Sequence, residues 1–397
     1  MALLRDLSLS AVVAGFVTVL VGFTSSAVIV FQAAQALGAS AAEVASWMWA
    51  LGLGMGLTCI GLSLRYRVPI VTAWSTPGAA MLITSAAGVS MPEAIGAFIV
   101  CGALLTLFGF TGWFERAMQR LPLPLAAAML AGVLLRFGLD VFVAMQAQLP
   151  LVLTMFVVYL AGRRALPRYA VVLALAAGIA LAAAQGLLRF DDVRLELAQP
   201  VFTAPAFSMA ALVGVALPLF IVTMASQNVP GVAVLRAAGY ATPVSPLVGW
   251  TGFATLVLAP FGAYALNLAA ITAAICMGRE AHEDPSKRYV AAVIAGVGYL
   301  AIGLFGATVG ALFAAFPREL VLAIAGLALL GTIGSGLATA VRDEAQREPA
   351  LVTFLVTASG VSLFGIGSAF WGLVAGALAL AVLRVRPPAS TGDAPPR

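Results

Sequence analysis

Long apolar runs separated by short, mostly basic connections leave this chain few ways to fold. Stretches such as SAVVAGFVTVLVGF (from Ser10) and LPLAAAMLAGVLL (from Leu123) follow one another with only brief polar interruptions. A bilayer interior offers no water to backbone N–H and C=O groups, so segments of this kind close their hydrogen bonds internally as helices. Composition agrees, because 62% of the 397 residues are hydrophobic, only 9% are charged, and the mean hydropathy is +1.06. A soluble domain would carry about a quarter charged residues. The chain therefore reads as an all-α polytopic membrane protein with the lipid bilayer as its main partner.

Dividing the runs at charges, Pro and Gly predicts fourteen segments. They cover residues 8–34, 42–63, 69–87, 91–112, 122–144, 149–162, 168–187, 207–228, 244–258, 260–278, 289–312, 318–340, 349–363 and 366–383. The first follows one early Arg and is too long for a signal-peptide core, so it is expected to remain as an uncleaved helix. With the N-terminus in the cytoplasm, every basic residue except Arg136, Arg189, Arg194 and Arg318 falls in an inner loop or a tail. That asymmetry predicts fourteen spans with both termini cytoplasmic, and merging any pair of segments would spoil it. The formal charge of +5 is spread through these loop clusters, so no nucleic acid partner is expected.

Two segments are irregular in the same way. In PIVTAWSTPGAA, Pro69–Trp74 reads as a short strand, and Thr76-Pro77-Gly78 offers an N-cap oxygen, a proline at the first helical position and open backbone beyond. In the tenth segment, APFGAYALNLAA aligns Pro260 with Pro69 and Asn267 with Thr76, so Asn267 is expected to cap a second half-helix. Segment one aligns with segment eight, Ser25 on Ser226 and Gly38 on Gly239. Seven segments per half is an odd number, so the second copy enters upside down, a 7+7 inverted repeat with a strand and a half-helix in segments three and ten. Helix N-termini facing each other in mid-membrane attract a polar or anionic ligand. A tolerated kink at Thr76-Pro77-Gly78 and an interhelical hydrogen bond at Asn267 are the plainer alternatives.

These segments supply the candidate binding residues: Trp74, Ser75, Thr76, Pro77 and Gly78 on one side, Tyr264, Asn267, Leu268 and Ala269 on the other. Ser226, Gln227 and Asn228 place three polar side chains before a proline inside an apolar run. Such a run faces a cavity, a ligand or unwound backbone, or holds the inner end of its helix. Ser25 and Ser26 occupy the equivalent place in the first half, either as contacts or as ordinary packing residues. Trp74 and Tyr264 could stack an aromatic ligand or simply pack. Arg136 and Asp140, one turn apart, can neutralise each other as a gate or a proton relay. Glu93 and Glu348 sit at span ends, and His282 sits in a charged loop. Cys59, Cys101 and Cys276 lie inside apolar segments, so neither a disulfide framework nor a metal site is expected. No Walker, HExxH or GxSxG pattern is present. The chain is thus expected to be no enzyme and to need no cofactor.

Taken together, GFVTVLVGFTSSAVIVFQAAQALG, PIVTAWSTPGAA, MASQNVPGVAVLRAAGY and GIGSAFWGLVAG resemble the bacterial benzoate/proton symporter (BenE) family over essentially the whole chain. The fold is more distantly similar to that of uracil/xanthine permeases and sulfate-type anion transporters. The resemblance implies uptake of benzoate or a similar aromatic carboxylate with a proton by alternating access. Another small anion or nucleobase as substrate, or a passive anion channel, is the alternative. It also implies a core domain from residues 1–112 and 207–314, a gate from residues 113–187 and 315–383, and a disordered cytoplasmic tail at 384–397. A homodimer is left open. Nucleobase carriers of the related fold use membrane carboxylates on spans eight and ten, where this chain has Gln227, Asn228 and Asn267. The proton is then carried by the substrate carboxylate itself or relayed by Asp140.

Overall fold

A computed structural model describes residues 5–384 except 86–87, 119–121, 190–196, 307, 309–314, 362 and 364–367. The chain is mostly helical. In order, the principal helices are α1 (Leu9–Ala36), α2 (Ala41–Tyr66), α3 (Thr76–Ser85), α4 (Met91–Phe110), α5 (Leu123–Ala147), α6 (Leu149–Ala165) and α7 (Ala170–Ala184). After these come α8 (Met209–Ala237), α9 (Val244–Leu258), α10 (Ile271–Met277), α11 (Tyr289–Leu304), α12 (Arg318–Ala340), α13 (Arg347–Ala358) and α14 (Ser368–Arg384). Among the described residues, seven helices are long and apolar enough to cross a membrane.

Local chemistry sets many of the boundaries. Ser8 caps α1 by accepting from the Ala11 N–H, and Ser40 with Glu43 forms a reciprocal capping box on α2. Ser90 and Glu93 do the same for α4. Each box satisfies N–H donors that have no partner within the helix. Glycine at 38 takes a positive φ of 79° just beyond α1, the left-handed turn that ends a helix without a Cβ clash.

The helices gather into two packed groups. In one, α11 lies on α1 and α2, α9 lies on α4, and α3 and α10 lie on α1. Glycines allow the close approaches: a Cβ on Gly52 would fall 2.5 Å from the Gly303 amide nitrogen, and one on Gly102 2.7 Å from that of Leu256. Such contacts draw helix backbones together where no hydrophobic force acts between apolar helices. In the other group, α12 and α13 pack on α5, α14 on α13, and α7 on α6. The principal seam between the groups runs along α8 and α5.

Two features of the sequence reading need correction here. Segment eight does not stop at residue 228: the helix continues to Ala237, straight through the SQNVPG stretch. It manages this with wide π-helical turns at Leu212–Ala216 and Met224–Asn228, each lying just before a proline, Pro218 and Pro230. A proline supplies no N–H, and a widened turn is one way for a helix to absorb that loss. Second, Asn267 does not cap a helix. It lies in a short strand, β2 (Asn267–Leu268), and α10 starts four residues later at Ile271.

Candidate functional site

The chain breaks its helical pattern where β1 (Thr72–Ala73) meets β2. The two strands pair antiparallel, Thr72 opposite Leu268 and Ala73 opposite Asn267. Deep among helices, this pairing satisfies backbone groups that would otherwise be stranded. The Ala269 N–H continues the ladder, donating to the Val71 carbonyl at 2.9 Å. On the other edge, the Leu268 N–H donates to Oδ1 of Asn228 at 3.0 Å, so the polar run of α8 holds β2 in position. Gly231 lets α8 lie this close, since a Cβ there would come 2.6 Å from Cβ of Leu268.

The start of α3 differs in detail from the sequence expectation. Ser75, not Thr76, is the cap: its Oγ accepts from the Gly78 N–H at 3.1 Å and its carbonyl from the Ala79 N–H at 2.8 Å. Thr223 on α8 donates its hydroxyl to Ser75 Oγ at 3.0 Å, tying the cap to the neighbouring helix. The N–H groups of Gly78 and Ala269 are therefore committed within the protein. Thr76, and not Gly78, lines the cavity beyond.

Outward from this crossing lies a cavity of 370 Å³. Of the residues singled out in the sequence, Ser26, Trp74, Thr76, Pro77, Ser226, Gln227 and Ala269 line it. Trp74 is locked in place: its indole N–H donates to Ser26 Oγ at 2.9 Å, Ser26 donates on to the Gly22 carbonyl at 3.0 Å, and Phe23 packs edge-on at 6.4 Å. Ser75, Gly78, Asn228, Asn267 and Leu268 stand behind the wall as its supports. Asn267 is fully buried, with its amide N–H₂ on the Ala265 carbonyl and its Oδ1 without a hydrogen-bond partner. Tyr264 is also set back, its ring 5.6 Å from Trp47 and 5.8 Å from Phe98. Ser25 lies on α1, but its side chain falls outside the described set.

The expected Arg136–Asp140 pair is not formed. Arg136 is exposed, Asp140 is half-buried, and among the described residues neither makes an ion pair. The α5 helix instead meets the cavity through Val133 and Phe137. Sequence reasoning missed these two, as it did Tyr299, Thr272 and Ala369, which are also among the lining residues. Apolar and aromatic residues carry no local mark in a membrane chain, so only packing could single them out.

The result is an enclosure with aromatic walls and a few neutral donors. None of its described lining residues is charged. An anion held here would be met by hydroxyl and amide groups rather than by a counter-charge, and its apolar part by Trp74, Phe137 and Tyr299. The volume lies within the range of small-molecule sites. Among the described residues no cluster of His, Cys, Asp or Glu could hold a metal ion.

Comparison with known proteins gives concordant relatives. Residues 5–382 match the family described as benzoate membrane transport protein. The chain is 52% identical to the inner membrane protein YdcO of Escherichia coli (strain K12), over 94% of this chain and 95% of that one. It is 41% identical to the benzoate membrane transport protein of Acinetobacter baylyi, over 97% and 98% of the two chains. Among solved structures, SLC26A9 aligns over 96% of this chain and 65% of that one, with a TM-score of 0.45 at 11% identity. The transmembrane domain of the cyanobacterial bicarbonate transporter BicA aligns over 95% and 97%, with a TM-score of 0.40 at 14% identity.

Proposed function

The chain belongs to the benzoate membrane transport protein family, and from that membership and the cavity we propose that it takes up benzoate or a closely similar aromatic carboxylate together with a proton. The family is one of membrane transport proteins, not enzymes. The observation that carries the proposal is the position of the 370 Å³ cavity. It opens where both strand-and-half-helix units meet, and its wall is completed by α5 from the second helical group. A ligand there touches both groups at once, as alternating access requires of a substrate.

On this reading the helices α1 to α14 are spans of a 7+7 inverted repeat with both termini in the cytoplasm. The first helical group is the core and the second the gate. The antiparallel pairing of β1 with β2 supports the repeat, since two equivalent segments inserted in opposite directions meet in that sense. Binding energy comes mainly from the ring, at about 25 cal/mol per Å² removed from water before ordering costs. Thr76, Ser226 and Gln227 orient the carboxylate.

The test is uptake of labelled benzoate into proteoliposomes holding the purified protein, with an acidic outer solution. Saturable accumulation above the external concentration is expected, competed by substituted benzoates and not by nucleobases or inorganic anions. Non-saturable equilibration would instead identify a passive channel, and competition by uracil or sulfate would identify a different substrate.

A further inference from the structure

The first helical group carries a furrow on its outer surface that shares no lining residue with the substrate cavity. Helix α11 packs along α2, and α9 packs along α4, whereas α2 and α9 meet only in part. Between these two runs a groove of 530 Å³. Leu57, Trp250, Phe253 and Val257 on its sides are large apolar residues that the fold leaves exposed. In a chain surrounded by a bilayer, such a surface faces lipid.

Two glycines of α2 shape this groove. A Cβ on Gly61 would meet nothing within 4 Å, so the trough is open there. Gly54 lies beside α9, where a Cβ would come 3.1 Å from Cδ1 of Leu258. From Gly54 to Arg65, α2 advances roughly 16 Å at the usual rise. That is close to the hydrocarbon depth of one leaflet, about half of a ~30 Å core. The interior asks for no hydrogen bond, since the Thr58 hydroxyl already donates to the Gly54 carbonyl at 2.6 Å. Arg65 is exposed and is the only charged residue among the described lining residues. Among the described residues no carboxylate pairs with it, and its guanidinium lies 5.9 Å from the centre of the Tyr66 ring. An amphipathic ring such as Tyr66 sits well at the boundary between hydrocarbon and water.

We propose that this groove binds a net-anionic glycerophospholipid, with one acyl chain lying along Gly61 and Gly54 and the headgroup phosphate on the Arg65 guanidinium. A guanidinium meets a phosphate through paired, charge-assisted N–H donors. Lipid that merely surrounds a membrane protein needs neither a trough nor a charge. Here an apolar trough of leaflet depth and a cation without a carboxylate partner belong to one cavity. With α2 ending in the cytoplasm, as in the topology proposed above, the lipid comes from the cytoplasmic leaflet, where anionic headgroups give the surface its negative potential. The choice of leaflet rests on that topology, and the binding itself does not. The site also touches the transport core from behind, because the hydroxyls of Thr58 in the groove and Thr72 in β1 are 2.7 Å apart.

Native mass spectrometry of the purified full chain in mild detergent, with phosphatidylglycerol or phosphatidylcholine added, tests this. The protein should retain one phosphatidylglycerol, preferred over phosphatidylcholine by about fivefold, the equivalent of the ~1 kcal/mol expected for one Arg at a membrane surface. Arg65→Gln should erase that preference and leave weak, equal retention of the two lipids. Gly61→Phe, which sets a ring in the open part of the trough, should reduce retention of both. Each substitution falls at an exposed position, so a single monodisperse peak on size exclusion is expected from both variants. If Gly61→Phe does not fold, Gly61→Leu, a better helix former, takes its place. Unchanged phosphatidylglycerol retention in both variants would overturn the site. Equal retention of the two lipids by the wild type would overturn the anionic headgroup. A wild-type dimer without lipid that Gly61→Phe splits would give the groove to a second copy of the chain instead. None of these readouts depends on what the protein transports.

Discussion

Trp74 shows how one side chain can be made ready for a ligand before the ligand arrives. Its N–H is held by Ser26 and its edge by Phe23, so little side-chain freedom remains to be lost on binding. Trp74→Ala should weaken benzoate binding by about tenfold, the loss of a ring contact plus its buried area. Trp74→Phe, which keeps a ring without the Ser26 bond, should fall between. Isothermal titration with benzoate and with an aliphatic carboxylate of similar size provides the check, since an equal loss for both would remove the ring's role. Trp74, Thr76, Ser226 and Gln227 could be singled out from sequence because polar groups and prolines are conspicuous in apolar runs. Phe137 and Tyr299 could not be, because aromatic residues occur throughout the chain.

At the scale of elements, the cavity depends on α8 holding β2 through one side chain. Asn228 is fully buried, accepts from the Leu268 N–H and donates to the Met224 thioether sulfur at 3.3 Å. Asn228→Ala would leave the Leu268 N–H buried and unpaired, at a cost of about 1–3 kcal/mol. A lowered unfolding temperature in detergent is expected, partly restored by saturating benzoate because the ligand binds only the folded form. An unchanged unfolding temperature would mean that α8 and β2 do not depend on this link. The widened turn ending at Asn228 explains how neighbouring polar residues divide their roles. It turns Ser226 and Gln227 to the cavity and Asn228 back to the strand. Sequence showed that this stretch breaks the apolar pattern, but simple helical spacing could not give the rotation, because a π-helical turn shifts the phase.

For the whole molecule, the proposed inverted repeat makes a prediction about sidedness. Ala41, at the start of α2, and Ala241, before α9, are exposed residues at nearly equivalent places in the two halves. Cysteine at Ala41 should react with an impermeant maleimide added to intact cells, and cysteine at Ala241 only after the membrane is opened. The native Cys59, Cys101 and Cys276 are all buried and should give little background. Reaction of both positions from the same side would rule out the inverted plan.

Helix positions were set by the sequence itself, because a bilayer forces each apolar run to satisfy its own backbone and the charged loops mark its ends. The bounds of α9 (Val244–Leu258) and α12 (Arg318–Ala340) coincide with the apolar runs read directly from the residues. The irregularity of PIVTAWSTPGAA was equally local, a consequence of proline, glycine and small polar residues. Only the tertiary structure decided what the irregular parts do. The Asn267 backbone pairs with Ala73 instead of opening a helix, since a buried edge of β1 needed a partner. Ser75 took the cap from Thr76 because Thr223 of α8 lies close enough to hold it. Glu280 met Arg163 across a separation in chain that no local pattern encodes. Contacts of that kind arise when separate helices converge, so they become visible only once the helices are packed.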